Sequence, residues 1–92
     1  MPRQTGATTK QIQEAPQRAV YIWVNSNLRY PKELARSLGR TDIEFVAPHW
    51  IHSQGWRGRK LSGIVVDHAA RLSGDQWIYL HEVRHRLRLL IM

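Results

Sequence analysis

Residues 64–67 read Ile-Val-Val-Asp, three residues of the kind found in buried strands running straight into a carboxylate. Two similar runs lie upstream, Val20 to Val24 before Asn25 and Ile43 to Val46 before Ala47-Pro48. Continuous apolar runs, unlike alternating ones, belong to strands covered on both faces, as in parallel sheets. A helix pattern separates the first two. Pro31 suits a first turn, Leu34, Ala35 and Leu38 share a face, and Gly39 is the expected stop. The expected fold is α/β: a small, mainly parallel three-stranded sheet with two or three helices, in two or three layers. Ligands of such sheets meet the carboxyl ends of the strands. That rim would gather Asn25, Ser26, His49, Trp50, Asp67 and His68.

Ser73-Gly74-Asp75-Gln76 has the spacing of a capping box, so a last helix is expected from there to about Leu90. At 100° per residue Tyr79, Leu80, Val83, Leu87, Leu90 and Ile91 fall on one side, and His81, Arg84, His85 and Arg88 on the other. Residues 1–18 are polar around a single Ile12 and read as a flexible basic arm. The domain is then 19–92, a size with a thin stability margin. A homodimer through Leu89-Leu90-Ile91-Met92 would widen that margin.

The 92 residues carry a formal net charge of +7, with 14 Lys+Arg against 7 Asp+Glu. This balance favours acidic partners, nucleic acid foremost. Without cysteine, disulfides and thiolate metal sites are excluded. No run approaches the roughly 20 apolar residues of a membrane span, and no apolar core of a signal peptide is seen. The expectation is a cytoplasmic protein without a membrane partner, in an infected or host bacterium. Of the four Trp, Trp23 and Trp77 sit in strand and helix patterns and are expected in the core. Trp50 and Trp56 lie in the irregular stretch 48–62 and are expected at a contact surface.

That stretch also carries Arg57, Arg59 and Lys60 between Gly55 and Gly63. Cations neutralise phosphates and a Trp stacks on an exposed base, which makes it the preferred binding element. Arg84 and Arg88 extend the same chemistry. Against this stands the plain reading of a solvated basic loop.

Two patterns point to metal chemistry. His81-Glu82-Val83-Arg84-His85 matches HExxH, where two His a turn apart hold zinc and the Glu acts on bound water. Its cationic neighbours and the absence of a ligand-type residue after His85 favour a chance match in an exposed helix face. Asp67 with His68, His49 and His52 is the second set. The plain reading of Asp67 is a strand-end carboxylate capping the amides of Ala69 and Ala70. No phosphate-binding G-x-x-x-x-G-K-[ST] follows the first strand, so ATP hydrolysis is not expected, nor any resident cofactor.

The order Val-Tyr-Ile-Trp-Val-Asn-Ser, helix, Ile-Glu-Phe-Val, then Arg-Gly and Ile-Val-Val-Asp resembles small α/β proteins encoded by bacteriophages. Over residues 20–72 it also resembles a helicase or packaging-motor core fragment without its nucleotide loop. The resemblance implies an accessory role and carries over no functional residue. The leading expectation is a non-enzymatic module that binds nucleic acid or a host protein handling it, including inhibitors of host enzymes or defence. A small metal-dependent hydrolase and a self-associating assembly subunit are the alternatives.

Overall fold

The computed structural model describes residues 2–53 and 62–87. Three strands, β1 (Val20–Ile22), β2 (Glu44–Val46) and β3 (Ile64–Val66), form a parallel sheet in the order β2-β1-β3. Tyr21 aligns with Phe45 on one side and Val65 on the other. Four helices surround it: α1 (Pro2–Glu14), α2 (Arg29–Ser37), α3 (Trp50–Ser53) and α4 (Gly74–Leu87).

The layers follow from strand alternation. Val20, Ile22, Val46, Ile64 and Val66 point to one face, where Trp50 and Ile51 of α3 and Leu80 and Val83 of α4 cover them. Tyr21, Phe45 and Val65 point to the other face, under Ile12 of α1, Ala15 just after it and Ala35 of α2. The molecule is therefore three-layered. The connection from β1 to β2 passes through α2 on one face. The connection from β2 to β3 steps back across β1 and includes α3, on the other face. Opposite steps on opposite faces give both crossovers the same hand, as strand twist demands.

Two of the helices, α3 and α1, place residues differently from expectation. The four-residue α3 turns Trp50 inward, so this residue lies in the core and not at a contact surface. The segment read as a flexible arm is helical over Pro2–Glu14, and Thr8, Ile12 and Ala15 are buried. Thr8, Ile12 and Ala15 recur at the i, i+4, i+7 spacing of one helix face. Trp77 departs from its expected place in the opposite direction. It sits beside the buried stripe of α4 at 39% exposure, and the adjacent Ile78 is 69% exposed.

Local signals explain the ends. Gln76 N–H donates to Ser73 Oγ at 3.1 Å and Ser73 N–H to Gln76 Oε1 at 2.9 Å, closing the capping box of α4. Gly39, at φ 76, ends α2 in the left-handed region. Arg40 N–H donates to Ala35 O and Gly39 N–H to Arg36 O, the paired bonds of a Schellman turn.

That turn aims Arg40 at the end of α1. Its guanidinium donates to the carbonyls of Ile12 at 2.9 Å and Ala15 at 3.0 Å, and it forks onto Asp42 at 3.1 Å. Asp42 also accepts from the N–H of Arg18, which adopts φ 60. Hydrogen bonds and charge from Arg40 hold the Asp42 carboxyl well below the usual carboxylate range. Arg40→Ala should cost about 1–2 kcal/mol in urea unfolding, and Arg40→Lys should not restore it, because an ammonium lacks the planar fork. A loss below about 0.5 kcal/mol would mean that the α1 end is not held this way.

Candidate functional site

β3 is an edge strand, and its backbone groups at 63, 65 and 67 serve β1. Val20 N–H donates to Gly63 O, and Asp67 N–H to Ile22 O. The even-numbered groups face the free edge. There the Gln11 carboxamide stands where another strand's peptide would. Its Nε2 donates to Val66 O at 2.9 Å and its Oε1 accepts from His68 N–H at 2.8 Å. Bonding residues i−1 and i+1 of the neighbour is the parallel ladder pattern. The partners have fixed polarity, so the amide has one orientation. Gln11 thus covers the open edge of β3 and holds α1 at the carboxyl rim.

One turn earlier on α1, Thr8 enters the same rim. Asp67 is only 2% exposed. It accepts from Tyr21 Oη at 2.5 Å, from Thr8 Oγ1 at 3.2 Å and from Ala69 N–H at 3.0 Å. The cap on Ala69 matches the plain reading of this residue. Thr8 has one hydroxyl proton and gives it to Asp67, so it must accept from His68 Nε2, 3.1 Å away. The network thereby places a proton on His68 Nε2, which also lies 3.9 Å from Asp67 Oδ2. Burial, then the hydrogen bond to Asp67 and its charge, push the Tyr21 phenol above its ordinary range.

This gives a pH signature. An unfolded chain releases the Tyr21 proton above about pH 10, while the folded chain keeps it. Stability from this contact is complete below that pH and declines as pH rises further. Tyr21→Phe should be less stable at neutral pH, yet lose less between about pH 9 and 11 than the parent chain. Equal alkaline losses in urea titrations would contradict the buried phenol–carboxylate contact.

Beside His68 a cleft of about 320 Å³ opens, lined also by Thr8, Trp23, Val24, Tyr30, Asp67 and Ala69. A larger one, about 510 Å³, runs along the outer edge of β2 between Lys32, Arg36 and Glu44. The rim cleft is the one at the carboxyl ends of β1 and β3, whose following helices, α2 and α4, lie on opposite faces of the sheet.

The other expected rim residues are not among those lining this cleft. His49 and His52 belong to the α3 side, with the His52 ring 5.0 Å from that of Tyr79. His68 belongs to the α1 side. Among the described residues no group of three His, Asp or Glu side chains is placed to hold a metal ion. His81, Glu82 and His85 are exposed on α4, Glu82 pairing with Arg86 at 3.4 Å and His81 lying against Trp77. Trp56, Arg57, Arg59, Lys60 and Arg88, with the C-terminal Leu89 to Met92, lie outside the described residues. Among the described residues no helix is long and apolar enough to cross a membrane. Thr8, Gln11 and Tyr21 were missed as rim residues. The available signal was a pair of amide- and hydroxyl-bearing residues three apart beside Ile12.

Compared with known proteins, the chain matches no family model, no curated protein and no solved structure.

Proposed function

We propose that this protein is a nucleic-acid-binding module that acts by occupancy, with no turnover of its own. The observation that supports it is a stripe on α4. Trp77, His81, Arg84 and His85 are exposed and fall within about 100° of arc around the helix. Leu80 and Val83, buried against the sheet, fix which way that stripe faces. The acidic residues Asp75 and Glu82 fall on the other side of the exposed surface, where Glu82 is occupied by Arg86. Trp77 and His81 have ring centroids 6.4 Å apart. A cation-bearing stripe with an interleaved aromatic, clear of carboxylates, suits phosphates together with exposed bases. The sequence adds Trp56, Arg57, Arg59 and Lys60 to the same chemistry, and the net charge of +7 adds attraction at a distance.

The test is titration of a labelled single strand and a duplex at several salt concentrations. Affinity should fall steeply with salt for both. Arg84→Ala should weaken both and reduce the log–log salt slope by about 0.7–0.9. Trp77→Ala should cost about 1–3 kcal/mol on the single strand and less on the duplex, whose bases are already stacked. Affinity that ignores salt, or that neither change alters, would move the reading to an acidic protein partner engaged elsewhere.

A further inference from the structure

We propose that the cleft at the carboxyl ends of β1 and β3 is a nucleobase pocket, with the Trp23–Tyr30 pair as stacking wall and His68 Nδ1 as hydrogen-bond acceptor. The proposal rests on the nucleic-acid reading for the source of the base, but the pocket has its own geometry. It lies where the sheet order β2-β1-β3 reverses the direction of the chain's crossovers, the position at which open parallel sheets take ligands. Trp23 directly follows β1 and Tyr30 lies in the first turn of α2. Their centroids are 5.9 Å apart with planes inclined by 35°. Tyr30 keeps 47% of its surface exposed, so an aromatic face remains for a ligand.

The opposite wall is polar. Asp67 belongs to it, with its side chain 0% exposed and its oxygens accepting from Tyr21, Thr8 and Ala69. Those oxygens are therefore already engaged within the fold. Thr8 takes the Nε2–H of His68, so in the neutral imidazole Nδ1 is a lone-pair acceptor with no partner among the described residues. Val24 and Ala69 complete an apolar lining. An aromatic wall facing one fixed acceptor suits a planar ring that carries an N–H donor. Guanine and uracil have such an imino group, and adenine and cytosine an amino group. The volume of about 320 Å³ leaves room for the base and part of its sugar.

The experiment is calorimetric titration of the full chain with free uridine and free guanosine, then with a short single strand and a duplex. Saturable nucleoside binding is expected. Tyr30→Ala and His68→Phe should each weaken it at least about tenfold, with melting temperature and duplex affinity retained. Tyr30 is exposed enough that its loss leaves the core intact. Absence of saturable nucleoside binding, or binding unchanged in both variants, overturns the pocket even if strands still bind through α4. Nucleoside binding that both variants weaken, with no affinity for either strand form, upholds the pocket for a free nucleoside and removes the nucleic-acid reading.

Discussion

Asp67→Ala should destabilise the fold by about 4 kcal/mol, lowering the melting temperature by roughly 15–25 °C. The side chain is removed from a site where Tyr21, Thr8 and the Ala69 amide all donate to it. Each donor left without a partner costs about 1–3 kcal/mol. Tyr21 is fully buried and has no solvent to turn to, only the distant Gln11 Oε1 at 3.5 Å. A domain of this size holds only about 5–15 kcal/mol in total, so the loss is a large share. Asp67→Asn should fall between, because one oxygen still accepts while the new amide protons face donors. Tyr21→Phe added to Asp67→Ala removes the orphaned hydroxyl, and the pair should cost less than the sum of the two changes by about 1–3 kcal/mol. Strict additivity, or an Asp67→Ala cost below about 1 kcal/mol, would mean that the carboxylate is not holding this rim together.

Removing residues 1–15 should abolish cooperative unfolding. A flexible arm could be deleted without effect. Here the deletion strips Ile12, which is 0% exposed, and Ala15 from the face formed by Tyr21, Phe45 and Val65. It also unpairs Asp67 from Thr8 and reopens the edge of β3 at Val66 and His68. The milder Ile12→Ala should cost about 2–5 kcal/mol in urea unfolding. The truncated chain should bind a hydrophobic dye and lack a sharp thermal transition, the marks of lost packing. An unchanged transition after truncation would restore the arm.

What the sequence made legible was set by burial on both sides. Val20, Ile43 and Ile64 begin runs too apolar to face water, and the three strands lie in those runs with the parallel pairing expected of them. β3 fills its run, while β1 stops short of Val24 because pairing on both of its sides ends at Ile22. Trp23 N–H still donates to Val46 O, but β3 has already turned away at Asp67. The capping box read from Ser73 and Gln76 formed because it is local.

Less legible was whatever depended on long-range partners of mixed polarity. Ile12 looked isolated because the rest of its face is Thr8, Gln11 and Ala15, small or polar residues that dock by hydrogen bonds and close approach. Trp50 and Trp77 exchanged places with expectation for a geometric reason. A short turn after Pro48 directs Trp50 inward, while Trp77 falls one helical step beside the Leu80–Val83 stripe. The carboxylate of Asp67 was visible as a strand-end acceptor. Its chief donors were not, since Thr8 lies 59 positions away and Tyr21 lies 46 away.

The account depends most on α1 closing the carboxyl rim of the sheet. Nuclear Overhauser spectroscopy of the full chain tests this directly. It should show contacts from the Gln11 side-chain amide to the His68 backbone N–H, and from the Thr8 methyl to the His68 ring, with helical shifts over residues 8–14. Random-coil shifts there, with no contact between Gln11 and His68, would contradict it.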